Sequence, residues 1–313
     1  MEQPASKKFS AFLLLPLLAG ICWGSTGSFV RVLSGYGLDN ATILFSRTLP
    51  AAIILFLIIL IWDRSLFRVR PKDLWIFIIC GILGMLGLNL CYNVAIIRLS
   101  LSFAAVLLSM SPIVVLFLSA ALFKEKITRR KVFCMILALA GCVLVSGLIG
   151  SIGTSTLSGI GIFVGACSAI FYAFYSIFLR IAVNRGYHSL TITFYSVLFL
   201  VIALLFIASL PDFGSFLQAA PARHGLFLLA PAMLNSVLPY ILFNVGMART
   251  ETGIASILAS GGEPAAATVF GMLFFSETPT VLTVTGLVVT IIALALLLKS
   301  PSAAGNDFQT DPS

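Results

Sequence analysis

Long apolar runs dominate the chain, and short polar stretches separate them. Each run holds about 18 to 24 residues, close to the roughly 20 apolar residues that an α-helix needs to cross a bilayer. The longest connection, about 210–224, is predicted to be a loop and is too short for a soluble domain. The pattern predicts ten membrane-spanning helices, at about 10–32, 41–62, 74–97, 102–122, 132–149, 158–180, 190–209, 225–246, 254–275 and 281–298.

The composition also indicates a membrane protein. Of the 313 residues, 60% are hydrophobic and 10% are charged, whereas a soluble globular chain is about 25% charged. The first apolar run follows Lys7 and Lys8, as a secretory signal would, but it is longer than a signal core and is predicted to be the first span. Residues 300–313 are small and polar and are predicted to form a disordered tail. The predicted fold class is an all-α membrane protein embedded in the lipid bilayer.

The positive net charge, +8, is concentrated on one side of the predicted membrane. With a cytoplasmic N-terminus, the cytoplasmic sections carry 15 of the 19 Lys and Arg residues, and the opposite side carries Arg31, Arg98 and Arg223. Membrane proteins concentrate basic residues on the cytoplasmic side. The distribution predicts a multi-pass protein of the cytoplasmic (inner) cell membrane with both termini in the cytoplasm. It explains the basic charge without a nucleic-acid partner.

The chain contains an internal repeat. Four pairs of residues carry it: Asn93 with Asn244 and Arg98 with Arg249 at a spacing of 151, and Pro112 with Pro264 and Glu125 with Glu277 at 152. The predicted units are 1–150 and 151–299, with five spans each. Because five is odd, the second unit enters the membrane from the opposite side. Inverted repeats are typical of secondary transporters, although some channels also have them. The sequence predicts two inverted five-helix repeats around a central cavity.

Glu263 is a carboxylate in the middle of the apolar run 254–275. At 1.5 Å per residue it lies about 14 Å from the start of the run, near the midplane of a ~30 Å hydrocarbon core. Ionisable residues at this depth usually face the bundle interior and are functional. We interpret Glu263 as a site for a proton, for a substrate ammonium group, or for each in turn. The alternative is a structural glutamate that is protonated or that is bonded to a backbone N–H freed near Pro264.

Residues that loosen helices surround Glu263. Gly261, Gly262 and Pro264 are predicted to interrupt its helix, and Ser109 and Pro112 are predicted to interrupt the matching helix of the first repeat. Interruptions at corresponding positions of two repeats point to the central site of a transporter.

Arg47 is the seventh residue of the second predicted span, about 9 Å from its outer end. Its planar guanidinium is suited to bind a substrate carboxylate through two hydrogen bonds. The alternative is that Arg47 extends to the outer interface or braces a neighbouring helix.

Neutral polar and aromatic side chains on other spans are predicted to line the same cavity. Asn pairs and Tyr–Asn pairs four residues apart share a helix face, and aromatic rings suit an amphipathic solute. For each residue alone, interhelical hydrogen bonding or ordinary packing is the alternative. These residues are Trp23, Asn89, Asn93, Tyr172, Tyr175, Tyr240 and Asn244.

The motifs of an enzyme are absent from the sequence. His188 and His224 fall in predicted loops on opposite sides, and no HExxH, no GxSxG and no carboxylate pair within a span occurs. The six cysteines lie in predicted spans without metal-ligand spacing. The sequence therefore predicts a protein that is not an enzyme and that uses no cofactor and no metal.

Several motifs resemble the EamA-like family of the drug/metabolite transporter superfamily, over about 10–298. They are "CWGSTGSFVR" in span 1, Arg47 in span 2, "SMSP…LFKE" in span 4, and "GGEP…FFSETPT" followed by "TGLVVTIIALALL" in the second half. Cys134 stands where members usually have glycine, whereas Gly286 keeps that glycine in the second half. The resemblance implies a ten-helix bundle with a central cavity that exports amino acids, related metabolites or drugs, often against a proton gradient. Some relatives import instead.

The predicted function is secondary active transport of a small metabolite, an amino acid or a related amphipathic solute, by alternating access and in the export direction. Protons are the candidate coupling ion, and the protein is predicted to be a monomer or a homodimer. The alternatives are a drug or other metabolite carrier, an uptake permease, a lipid-linked flippase and a channel. A channel would show charge rings or a repeated filter motif, and neither is present in the sequence.

Overall fold

The computed structural model describes residues 11–99, 101–145, 158–275 and 280–298, and all its regular elements within these ranges are helices. The α-helices are α1 (Leu14–Gly24), α2 (Thr26–Ser34), α3 (Asn40–Trp62), α4 (Leu74–Ile78), α5 (Leu88–Arg98), α6 (Leu101–Ser109), α7 (Ser111–Phe123), α8 (Arg129–Val145), α9 (Gly159–Asn184), α10 (Ser189–Leu204), α11 (Leu210–Ala219), α12 (Pro221–Pro231), α13 (Leu238–Arg249), α14 (Thr252–Phe275) and α15 (Val281–Leu298). The described elements also include two π-helices, Ile79–Gly87 and Ala232–Val237, and three 3₁₀-helices, Ala11–Leu13, Arg64–Phe67 and Pro71–Asp73. The all-α fold class is confirmed.

Eight helical segments of the described ranges are long and apolar enough to cross a membrane: Leu14–Ser34, Asn40–Trp62, Pro71–Ala95, Val106–Phe123, Gly159–Asn184, Pro221–Arg249, Thr252–Phe274 and Val281–Leu298. The apolar helix α10 is shorter, with 16 residues, and α8 begins with three basic residues. Together these ten segments overlap the ten predicted runs, although the helix of the seventh run ends at Leu204 and residues 146–149 of the fifth run lie outside the described residues. Their arrangement as two inverted repeats stays a prediction, and the predicted tail, 300–313, lies outside the described residues.

The connection at about 210–224 is helical, so the prediction of a loop there is wrong. It forms α11 and the start of α12. Pro211 and Pro221 lie in the first turns of these two helices. Proline is tolerated there because the N–H groups of a first turn have no partner within the helix. Phe213 and Phe216 are buried, and Phe216 stacks on the ring of His224 at 4.2 Å between centroids. Aromatic burial therefore holds this segment against the bundle.

Helix α14 runs unbroken through Pro264, so the predicted interruption at Gly261, Gly262 and Pro264 does not occur. Proline is tolerated within a membrane helix where neighbouring helices support the backbone. The two glycines serve packing instead. A Cβ on Gly261 would lie 2.7 Å from Cδ2 of Leu294, and a Cβ on Gly262 would lie 2.9 Å from the carbonyl oxygen of Leu17.

In the first half the matching helix is broken. Helix α6 ends at Ser109, Met110 forms a turn, and α7 begins at Ser111. Pro112 lies in the first turn of α7, a position that needs no N–H donor. The two matched proline residues therefore differ in position: Pro112 lies at the start of a helix, whereas Pro264 lies inside one.

Helices α1 and α14 pack with their backbones in close approach. A Cβ on Gly20 would lie 2.1 Å from the carbonyl oxygen of Ala259, and a Cβ on Gly24 would lie 2.6 Å from that of Glu263. Small residues at such an interface let membrane helices approach closely. This contact places Glu263 beside the first span.

Candidate functional site

A cavity of about 640 Å³ lies between helices of the first and second halves. This volume is typical of small-molecule sites, which hold about 300–1,000 Å³. The structure brings most of the predicted site residues to its wall: Glu263, Arg47, Asn89, Asn93, Trp23, Tyr172, Tyr175 and Tyr240, together with Ser109 and Pro264.

Arg47 lies on α3, whose first turn is fixed by a hydrogen bond from the Thr42 N–H to the Asp39 carboxylate at 3.0 Å. The Arg47 side chain is 7% exposed, and one of its amino groups donates to Oδ1 of Asn89 at 2.8 Å. Asn89 in turn donates its amide to the carbonyl oxygen of Met85 at 2.7 Å. The guanidinium is thus held on the cavity wall from a neighbouring helix.

Glu263 lies on α14, is half-buried and lines the same cavity. Its carboxylate interacts electrostatically with the Arg47 guanidinium, but within the described part of the chain no salt bridge joins the two. Opposite charges therefore share one cavity without neutralising each other by direct contact.

Aromatic rings form the wall beside these charges. Tyr240 packs edge-on against Trp23 and against Tyr175, with centroid distances of 5.2 Å and 5.6 Å. Trp23 also contacts Phe243 at 5.5 Å. Such rings offer a large apolar surface with few rotatable bonds, so the wall can receive the apolar part of a solute.

Asn244 and three of the predicted interruption residues are not on the cavity wall. Asn244 is fully buried, accepts a hydrogen bond from the Tyr175 hydroxyl at 3.0 Å and donates to Oγ1 of Thr193 at 2.8 Å. It therefore joins helices behind the wall and orients Tyr175. The other three residues are Pro112, Gly261 and Gly262.

Two features stand out among those of the site that were not predicted from the sequence. The first is the pair of π-helices, one in each half, of which Ile79–Gly87 leads directly into the helix that carries Asn89. In this π-helix glycine recurs at every third position, three times, and Gly84 faces the backbone and Cβ of Tyr175. This glycine spacing is the sequence feature that could have indicated the close packing. The second is a set of polar lining residues near the connection 35–39: Arg31, Ser34 and Asn40.

Within the described residues, the cavity reaches one end of the helix bundle at the connection 35–39, and we call this the open end. The polar end is formed by the connections 63–73, 124–128, 185–188 and 250–251. There, Glu125 of the first half accepts hydrogen bonds from the N–H groups of Thr252 and Gly253 at 2.8 and 3.2 Å. Lys131, whose side chain is fully buried, forms a salt bridge with Glu251.

A second group of contacts joins the halves at the polar end. Asp73 pairs with Arg185 and accepts a hydrogen bond from the Tyr187 hydroxyl at 2.6 Å. Burial, followed by this bond to a carboxylate, raises the pKa of Tyr187. The phenol therefore keeps its proton and remains a donor. Tyr195 donates to the carbonyl oxygen of Phe67 at 2.8 Å.

Among the described residues, no three His, Cys, Asp or Glu side chains come together as metal ligands. Glu277, the sequence partner of Glu125, lies outside these residues.

Comparisons with known proteins agree with this architecture. A model of the EamA-like transporter family matches the chain twice, over residues 10–147 and 159–299. The chain is 28% identical over 263 residues to the Pseudomonas aeruginosa protein named Pseudopaline exporter CntI, covering 82% of this chain and 88% of that protein. It is 24% identical over 305 residues to Uncharacterized transporter YxxF of Bacillus subtilis, covering 96% and 94%. A solved crystal structure has a TM-score of 0.72 at 16% identity, covering 92% of this chain and 96% of the other, a likeness of fold.

Proposed function

The chain belongs to the EamA-like transporter family, and on that premise we propose that it is a secondary active transporter of a small metabolite across the cytoplasmic membrane. Its solute is an amino acid or a related amphipathic zwitterion. The direction is export, which the name of the Pseudomonas relative supports.

One observation carries the proposal. Arg47 and Glu263 face the same cavity from different helices, and no salt bridge joins them in the described structure. A solute with a carboxylate and an ammonium group satisfies both charges at once. The rings of Trp23, Tyr175 and Tyr240 then receive its apolar part.

The contrast between the two ends of the bundle supports transport by alternating access. The cavity reaches the open end, which the charge pattern predicts to be non-cytoplasmic, while hydrogen bonds and salt bridges close the polar end. In the proposed cycle the units 1–150 and 151–299 are inverted repeats that exchange these states. The contacts of Glu125 and Lys131 break when the cytoplasmic side opens.

Glu263 is the proposed coupling residue. A carboxylate that lines the cavity can hold the solute ammonium in one state and a proton in the other. Proton binding then accompanies the return step, and a pH gradient drives export. One chain holds both units, so a monomer suffices for this cycle, and a homodimer is compatible with it.

The test is efflux from proteoliposomes loaded with a mixed amino-acid pool, with and without an imposed pH gradient. Glu263→Gln keeps the side-chain shape and removes the titratable group. Asp212→Asn makes the same change on an exposed residue of α11 and serves as the matched control. We expect selective efflux that the gradient accelerates in the wild type and in the control, and that is indifferent to the gradient in Glu263→Gln.

Other outcomes select among the alternatives. Selective efflux that responds to neither the gradient nor the substitution assigns Glu263 a structural role. If an amino acid accumulates inside the proteoliposomes and does not leave them, the protein is an uptake permease. Flux that does not saturate identifies a channel. If no amino acid moves, the same assay with drugs and with a lipid-linked sugar tests the drug carrier and the flippase.

A further inference from the structure

Arg47 is held by a single neutral partner. In the described structure its guanidinium makes one hydrogen bond, to Oδ1 of Asn89 at 2.8 Å. A guanidinium has five N–H donors, so donors remain for a solute. The cavity is where they can be satisfied, because Arg47 is 7% exposed and lines it.

The amide of Asn89 can take only one orientation. Its nitrogen donates to the carbonyl oxygen of Met85 at 2.7 Å, which can only accept, and its oxygen meets Arg47, which can only donate. Met85 belongs to the π-helix Ile79–Gly87, where the backbone hydrogen-bond pattern departs from that of an α-helix. The π-helix thus supplies the carbonyl that turns the amide oxygen towards Arg47.

A neutral acceptor fixes a cation without cancelling its charge. An aspartate at position 89 would have nearly the same shape but would form an ion pair with Arg47, and charge-assisted hydrogen bonds are about twice as strong as neutral ones. Such a carboxylate would occupy the place of a solute carboxylate.

We propose that Asn89 is a positioning residue that presents the Arg47 guanidinium to the carboxylate of the solute and thereby sets the preference of the cavity for carboxylate-bearing solutes. This inference rests on the proposed function. The second half lacks an equivalent: the position 151 residues after Asn89 is Tyr240, and the position 149 residues after Arg47 is Ser196. The anion subsite therefore belongs to the first half alone.

A test without any solute uses phenylglyoxal, which modifies arginine side chains, with mass spectrometry to follow Arg47. In Asn89→Asp the new ion pair should slow the modification of Arg47 about tenfold, the equivalent of about 1.4 kcal/mol. Asn89→Leu removes the hydrogen bond without adding charge, so the rate should stay equal or rise. Equal rates in the wild type and Asn89→Asp would overturn the contact on which the inference depends.

A second test measures binding of three solutes with one aromatic ring: L-phenylalanine, phenethylamine, which lacks the carboxylate, and 3-phenylpropionate, which lacks the ammonium. Titration calorimetry on the full-length protein in nanodiscs gives the affinities. In Asn89→Asp we expect phenylalanine and phenylpropionate to bind about tenfold more weakly, while phenethylamine binds at least as tightly as to the wild type. In Asn89→Leu the two carboxylates should weaken and phenethylamine should not.

The outcomes separate this inference from the proposed function. If all three affinities fall together in both variants, Asn89 is structural and the inference is wrong. If the wild type binds none of the three solutes, the proposed solute class fails, and with it the carboxylate preference. The labelling rates then still decide whether Asn89 holds Arg47.

Discussion

The two ends of the helix bundle are built from different chemistry. At the polar end, charged side chains and backbone groups of the first and second halves pair directly, as with Glu125 and the start of α14 and with Lys131 and Glu251. At the open end the halves meet mainly through aromatic rings, as with Tyr36 against Phe216 and His224, and the cavity wall there carries Arg31, Ser34 and Asn40.

The difference shows which contacts define the present state. A buried ion pair contributes little net stability, because desolvation offsets the attraction, but breaking one partner away is costly. The contacts at the polar end therefore specify the closed state, and they stabilise it only while every partner is present. Substitutions at the polar end should therefore change the free energy of unfolding and the population of the closed state. Substitutions on the cavity wall should change the binding of the solute.

The largest effect is expected for Glu251→Gln. It leaves the Lys131 ammonium, fully buried, without its carboxylate partner, and the free energy of unfolding should fall by about 3 kcal/mol, the low end for a broken buried pair. The loss stays at the low end because Glu251 is 23% exposed and the Lys126 carbonyl still accepts from Lys131 at 2.7 Å. Chemical unfolding in detergent measures it.

The double variant Lys131→Met with Glu251→Gln is the control. Because it removes both charges, it should recover most of the lost free energy of unfolding. A double variant as unstable as Glu251→Gln would show that the two residues do not act as a pair.

Gly20→Ala should have the next largest effect. Its Cβ would lie 2.1 Å from the carbonyl oxygen of Ala259, so the two helix backbones must separate, at a cost of about 2 kcal/mol. Gly214→Ala in α11 meets no atom within 4 Å and should be neutral or slightly stabilising. Thermal unfolding compares them. Equal stabilities would mean that α1 and α14 do not pack as closely as described.

The sequence predicted the spans because each is a continuous apolar run, and it predicted the cavity residues because polar side chains are costly in a bilayer. Arg47, Glu263 and Asn89 stand out for that reason. The partner of each residue was not predictable. Asn244 is also a polar residue in a predicted span, yet it forms hydrogen bonds with Tyr175 and Thr193 behind the cavity wall. An amide in a membrane helix can bind a solute or join two helices, and the sequence does not distinguish these roles.

Backbone detail was not predictable from the sequence for a related reason. Pro112 and Pro264 occupy matched positions, but a helix begins at the first and continues through the second. The choice depends on tertiary packing, such as the contact of Gly24 with the backbone at Glu263. The glycines of the first π-helix likewise pack closely against neighbouring helices, and only their spacing in the sequence indicated such a contact.

A smaller effect is expected for Glu125→Gln. The amide retains one acceptor but loses the negative charge at the start of α14, a loss of about 1 kcal/mol. If the contact holds the polar end closed, the open population there should rise about fivefold. The measurement is the labelling rate of Thr252→Cys, a buried position, with the six native cysteines replaced. An unchanged rate would contradict a role for Glu125 in closure.

The smallest effect is expected for Asp63→Asn, and it should depend on pH. Asp63 accepts hydrogen bonds from the hydroxyl and the N–H of Ser65 at 2.7 and 2.8 Å, and these bonds, the hydroxyl first, lower the pKa of its carboxyl. A lowered folded-state pKa means that the stabilisation is complete above the ordinary value of about 3.9 and is lost as the pH falls through the folded-state value. The wild type should therefore be slightly more stable than Asp63→Asn at pH 7, and the difference should vanish in acid.

Unfolding of both proteins between pH 7 and pH 3 measures this difference, and a gap that is constant with pH would contradict the assignment. The carboxylate is exposed and stays within its own turn, so the substitution should also leave the labelling rate of Thr252→Cys unchanged. Closure of the polar end would then depend on the buried contacts between the halves and not on the amount of charge at that surface. A labelling rate that rises with Asp63→Asn would show that the surface charge does affect closure. Asp63 contacts neither Glu125 nor Lys131, so its exposed charge could affect the closure of the polar end only through the electrostatic field of the whole surface.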